Sequence, residues 1–134
     1  ALTIDDQGTC RPDALLLFTT SEGIEEIALG GAISRAFGLD RALLAAGWTE
    51  AALSRWRPLT DPVERPQMDT GNVFMVLGSK DDVTPIAGGQ AIARRWGVPE
   101  AQLHIRPQGH FSVPAGLMVD GAPIADFAER LLSL

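Results

Sequence analysis

A chain of 134 residues, 46% hydrophobic and 21% charged, is long enough for one domain with a buried core. Its formal net charge of −6, without any basic run or cluster, argues against a nucleic-acid face and against binding to an anionic membrane surface. The single cysteine, Cys10, cannot close an internal disulfide, and no apolar run approaches the roughly 20 residues that span a bilayer. With no signal-peptide pattern visible, a soluble cytoplasmic protein is expected.

The chain begins Ala1-Leu2-Thr3-Ile4 without methionine, as a trimmed, processed or partial chain would. A loop is expected over Gln7-Gly8-Thr9-Cys10-Arg11-Pro12. Ala14 to Phe18 then form a continuous apolar run. Its shortness favours a strand buried on both faces, as in a parallel sheet, over a buried helix.

A helix is expected from Ser21 or Glu22 to about Phe37, with Glu25 and Glu26 in its first turn, where the helix dipole favours acids. Gly30-Gly31 predicts a break at its centre, since each glycine costs roughly 1 kcal/mol relative to alanine. Gly38 reads as a C-cap, Asp40 as the cap of a short helix over residues 41–46, and Thr49 as the cap of another through Trp56. Pro58, Pro62 and Pro66 mark residues 57–69 as an irregular connection.

The run Val73-Phe74-Met75-Val76-Leu77 reads as the central strand and breaks at Gly78-Ser79-Lys80-Asp81-Asp82-Val83-Thr84-Pro85. Thr84 is expected to cap a helix with Pro85 at its first position and Ile86, Ala91, Ile92 and Trp96 on its apolar side. Gly97-Val98-Pro99 stops it, and a strand follows over Gln102 to Arg106. After Gly109-His110-Phe111-Ser112, an amphipathic helix is predicted over Pro123 to Leu132, through Ile124, Phe127, Ala128, Leu131 and Leu132. The order of elements is that of an α/β protein with a parallel sheet of three strands, one edge of which wants a neighbour.

An acid and a histidine therefore fall just past the ends of consecutive strands, where open α/β sheets build their sites. Gly78 to Pro85 followed by Gly109-His110-Phe111 resembles the C-terminal half of the α/β-hydrolase fold. In that family the penultimate strand ends in a Gly-x-x-Asp-x-x-x-Pro-like loop bearing the triad acid, and the last strand ends in a Gly-His pair bearing the base. Asp81 and His110 stand at those positions, 29 residues apart, with room for one helix and one strand.

The resemblance implies a partial α/β-hydrolase domain over 1–134: the last three parallel strands, flanking helices and a helical cap-like segment over 21–69. It also implies hydrolysis of an ester or related acyl bond in a small-molecule substrate, without cofactor. Asp81 would orient His110, which would take the proton of a serine hydroxyl too weak to attack unaided. The family's Gly-x-Ser-x-Gly nucleophile motif does not occur in these 134 residues. The serine and the oxyanion hole would then lie in an N-terminal half or a partner chain that completes the sheet. The alternative is a non-catalytic hydrolase-like binding or structural domain.

Other candidates weigh less. Asp82 is the competing carboxylate, otherwise a turn residue. His104 alternates with Leu103 and Ile105 and reads as structural. Asp81, Asp82 and His110 lack metal-ligand spacing, so no metal site is expected. Cys10, Ser21 and Ser34 lack the setting of a nucleophile. Trp48, Trp56 and Phe111 are candidates for substrate contact, although burial is the commoner use of tryptophan and also suits Met68. Neither Gly30-Gly31 nor Gly88-Gly89 has phosphate-loop spacing.

Overall fold

The structure is a computed structural model that describes residues 12–61 and 68–133. Cys10, the loop preceding Pro12, and Pro62 and Pro66 lie outside the described residues. Three strands, β1 (Leu15–Phe18), β2 (Val73–Gly78) and β3 (Leu103–Arg106), form a parallel sheet in the order β1-β2-β3. Leu15 pairs with Val73 and Phe18 with Val76 on one side of β2; Met75 pairs with Leu103 and Gly78 with Arg106 on the other.

The continuous apolar run of β2 is buried along its whole length because both of its faces are covered. Side chains alternate along a strand. Val73, Met75 and Leu77 thus join Leu15 and enter one core with Ile92, Ala93 and Trp96. Phe74 and Val76 enter the other, with Val113 and Phe127. Helix α6 (Ile86–Trp96) supplies the first core; α7 (Ser112–Val119) and α8 (Ala122–Leu132) supply the second. The result is a three-layer α/β arrangement. As an outer strand, β1 is only half covered: Leu15 is buried and Leu16 is exposed.

Among the described residues, five short α-helices separate β1 from β2: α1 (Ile24–Gly30), α2 (Ala32–Ala36), α3 (Leu39–Ala45), α4 (Glu50–Ser54) and α5 (Arg57–Thr60). The expected break falls at Gly31, where one helix ends and the next begins. Helix α1 packs on α2, α3 and α4, and its buried Glu25 is paired with Arg57 of α5. Thr49 caps α4 as expected, its hydroxyl accepting from the Ala52 N–H at 3.3 Å.

Several expectations change. Asp40 lies within the first turn of α3 rather than capping it; Gly38, with φ of 69°, occupies the cap position. Residues 57–60 are helical despite Pro58, which sits in the first turn where its missing N–H is harmless. Helix α7 is not predicted from sequence. Leu132, placed on the apolar face of α8, is exposed, while Ile124, Phe127 and Leu131 pack inward. Thr84 does not cap α6: Pro85 is the cap residue, with no side-chain cap bond, and the Thr84 hydroxyl is used elsewhere.

Candidate functional site

In a parallel sheet the strand C-termini share one end, so the residues after β1, β2 and β3 gather there. Two backbone bonds join the loops after β2 and β3: the Ser79 N–H donates to the Arg106 carbonyl at 2.8 Å, and that of Lys80 to the Gln108 carbonyl at 3.1 Å. Gly78 is needed at this junction, because a Cβ there would run into the Gln108 backbone and Val113. The Ala32 N–H at the start of α2 donates to the Asp82 carbonyl at 2.8 Å and ties the helical segment to the acid loop.

Asp81 and His110 meet as expected. His110 Nδ1 lies 2.9 Å from Asp81 Oδ2. The Asp81 side chain is 1% exposed and that of His110 is 24% exposed. The other carboxylate oxygen, Oδ1, accepts from the backbone N–H groups of Val83 at 2.9 Å and Thr84 at 2.8 Å. Burial pushes the Asp81 carboxyl up, but hydrogen bonds outweigh it, first from the Thr84 N–H and then from the His110 ring and the Val83 N–H. Together these hold Asp81 below the usual carboxylate range.

Ionised, Asp81 can only accept, so an Nδ1 at 2.9 Å must carry hydrogen. In the neutral ring that tautomer keeps the lone pair on Nε2, for which no hydrogen-bond partner is seen among the described residues. The arrangement is an imidazole held in one orientation by a buried carboxylate. Asp82 enters no such contact; its backbone carbonyl is what the fold uses.

His110 opens onto a groove of about 420 Å³ whose walls include Ala32 and Ile33 of α2, Phe37 just past its end, Val83, and Phe111. The lining is mainly apolar. Phe111, 72% exposed, meets the His110 ring edge-on at a centroid distance of 5.0 Å. Trp48 and Trp56 are brought to each other, 6.3 Å apart, and line a separate pocket with Ala52, Arg55 and Leu59. Of the three side chains nominated for substrate contact, Phe111 alone borders the histidine groove. Ile33 and Phe37 were missed, and no local signal singled them out.

The remaining candidates have structural settings. His104 stacks on Phe74 at 4.6 Å, and its Nε2 lies 3.2 Å from the Ala101 carbonyl. The Ser21 hydroxyl lies within hydrogen-bond reach of the carbonyl oxygens of Pro85 and Glu22, at 3.0 and 3.1 Å. Ser34 is buried and bonded to the Ala28 carbonyl, and Met68 packs against the first core. Gly88 and Gly89 let α6 press against Thr20, Ser21 and Glu22. Among the described residues, no group of three His, Cys, Asp or Glu could hold a metal ion, and no helix is long and apolar enough to cross a membrane.

Sequence reasoning also missed the third member of the cluster. Thr84 Oγ1 lies 2.9 Å from Asp81 Oδ2, 3.1 Å from His110 Nδ1 and 2.9 Å from the carbonyl oxygen of Thr19, just past β1. Thr19 has a φ of 48°, the one positive value among the described non-glycine residues. For a β-branched side chain that conformation is an outlier. Comparison with family models, with curated proteins and with solved structures finds no significant match to this chain.

Proposed function

We propose that this chain is the acid-and-base-bearing part of a serine hydrolase of the α/β-hydrolase type, acting on an ester or related acyl bond. The observation that carries the reading is the 2.9 Å contact between His110 Nδ1 and a carboxylate buried to 1% exposure. This is the geometry in which a histidine is fixed to take a proton through Nε2 and later return it to a leaving group. The parallel sheet with covered faces, and the position of both residues at its C-terminal end, agree with that class. The short helices α1 to α5 between β1 and β2 then act as a cap, and the α2 wall offers apolar contact to the substrate beside His110.

The serine and the oxyanion-hole donors come from an N-terminal half or a partner chain that extends the sheet. An outer strand with exposed Leu16 suits such an extension. A serine-directed covalent probe is expected to label the complete protein and to leave the 134-residue chain untouched. In the complete enzyme, Asp81→Asn lowers turnover by about 10⁴-fold, the loss expected when the orienting acid is removed, and His110→Ala abolishes probe labelling. Unchanged labelling in His110→Ala, or a larger loss from Asp82→Asn than from Asp81→Asn, would refute the assignment.

A second reading has one observation in its favour. No Gly-x-Ser-x-Gly occurs in the chain. A hydrolase-like domain that binds a ligand in the apolar groove without cleaving it fits that fact. Failure of the complete protein to react with the probe, together with retained ligand binding, would select it.

A further inference from the structure

The contacts of Thr84 can be resolved by counting hydrogens. A hydroxyl donates once and accepts at two lone pairs. Of the three atoms around Thr84 Oγ1, the Thr19 carbonyl and the ionised Asp81 Oδ2 only accept, so the hydroxyl serves one of them at a time. The second hydrogen in the cluster is the Nδ1–H of His110.

One allocation satisfies both the Thr19 carbonyl and the ring. The hydroxyl donates to Thr19, and the Nδ1–H is shared between Asp81 Oδ2 and Thr84 Oγ1, two acceptors converging on one donor. The first allocation leaves Asp81 Oδ2 and Thr84 Oγ1 2.9 Å apart with the Nδ1–H as the hydrogen they share; the other, hydroxyl to Asp81, leaves no hydrogen between Thr84 Oγ1 and the Thr19 carbonyl at 2.9 Å. That carbonyl belongs to the one described residue whose backbone is visibly strained, and such strain persists only where surrounding contacts hold it. The first allocation supplies that contact.

We propose that Thr84 is a positioning residue for His110. Its hydroxyl is a second acceptor for the Nδ1–H and passes the constraint through Thr19 to the end of β1. A carboxylate oxygen alone fixes one line, about which an imidazole can still swing. An acceptor off that line fixes the plane of the ring and therefore the direction in which Nε2 points. The three close atoms form a triangle with sides of 2.9, 3.1 and 2.9 Å. The cluster thereby joins the ends of all three strands: Thr19 after β1, Asp81 and Thr84 after β2, His110 after β3. The catalytic consequence rests on the hydrolase reading above; the geometric claim does not.

The test is ¹⁵N and ¹H NMR of the His110 ring in the wild-type protein, Thr84→Val and Thr84→Ser, with circular dichroism to verify folding. In the wild type, the Nδ1 proton is expected to exchange slowly with water and to correlate through space with the Thr84 side chain. In Thr84→Val, exchange becomes roughly tenfold faster, the upper range for loss of one net hydrogen bond, and an Nε2–H tautomer appears. Thr84→Ser, which keeps the hydroxyl, restores the wild-type behaviour.

Wild-type exchange and tautomer in Thr84→Val would overturn the proposal. So would a Thr84→Ser protein as perturbed as Thr84→Val, because the missing methyl would then be the cause. Should the valine variant not fold, the wild type decides alone: absence of the correlation between the Nδ1 proton and Thr84 is enough to reject it. In the complete enzyme Thr84→Val is expected to lower kcat and leave KM unchanged, with rescue by serine. An NMR result as expected without any ester turnover would sink the hydrolase reading and leave the role of Thr84 intact. Turnover that depends on His110 but ignores Thr84 would do the reverse.

Discussion

At the scale of single residues, Asp81 and His110 are placed so that each fixes the other. Asp81 gains hydrogen bonds on folding that favour its charged form, and its carboxyl is held below the ordinary range. Glu25 is held low as well, first by its hydrogen bond with Arg57. A carboxyl whose folded pKa is depressed contributes stability that is present above its unfolded value, near 4, and lost as pH falls through the folded value. Thermal melts followed against pH are therefore expected to be insensitive to these two groups above about pH 5 and to decline below about pH 4. Asp81→Asn is expected to lower stability at neutral pH and to shallow the acid decline, because its share of the proton linkage is gone. Asp81 and His110 were legible in the sequence because the glycines and the proline around them mark loop positions after strands. Thr84 was misread for a physical reason: a threonine before a proline and a helical pattern satisfies every local rule for a cap. Only the fold brings the Thr19 carbonyl, 65 residues away, to compete for its hydroxyl.

At the scale of elements, helix α6 illustrates how packing overrides propensity. Its Gly88-Gly89 pair weakens the helix intrinsically, and Gly→Ala in a helix interior ordinarily stabilises by about 1 kcal/mol. Here a Cβ on Gly89 would approach the Thr20 carbonyl oxygen to 2.5 Å and the Leu77 side chain to 2.7 Å. Both are held, one in backbone and one in the buried core, so the overpacking cost of about 1–3 kcal/mol exceeds the helix gain. Gly89→Ala is expected to lower the urea midpoint with an unchanged slope; a raised midpoint would mean that α6 can shift outward freely. The periodic helices α6 and α8 were readable because each has one apolar side. Helix α7 was not, since Ser112 to Val119 is apolar almost throughout and offers no period from which to read a face. The five short helices between β1 and β2 were only partly readable. Their order follows the glycines at 31, 38 and 47, but their packing on one another depends on long-range partners such as Glu25 and Arg57.

At the scale of the whole molecule, the layering was largely written in β2, whose five consecutive apolar residues leave no face for water. What each face meets was not, because that depends on which helix the topology returns to which side. The strand order also has a kinetic side. Strand β2 pairs with β3 across 28 residues (Met75 to Leu103) but with β1 across 58 (Leu15 to Val73). Loop closure penalises the longer span by about 0.6 kcal/mol per doubling of length. The β2–α6–β3 unit is the cheaper one to assemble, and β1 docks onto it afterwards. Pulsed hydrogen exchange during refolding is expected to protect the amides shared by β2 and β3 before those of Leu16 to Thr19. Simultaneous protection would argue for one nucleus spanning the sheet. If β1 arrives last, Asp81 and His110 come together first, and the Thr19 carbonyl that claims the Thr84 hydroxyl reaches them only at the final step. The histidine then acquires its partner early and its final orientation late, so refolding regains secondary structure well before the His110 ring is fixed.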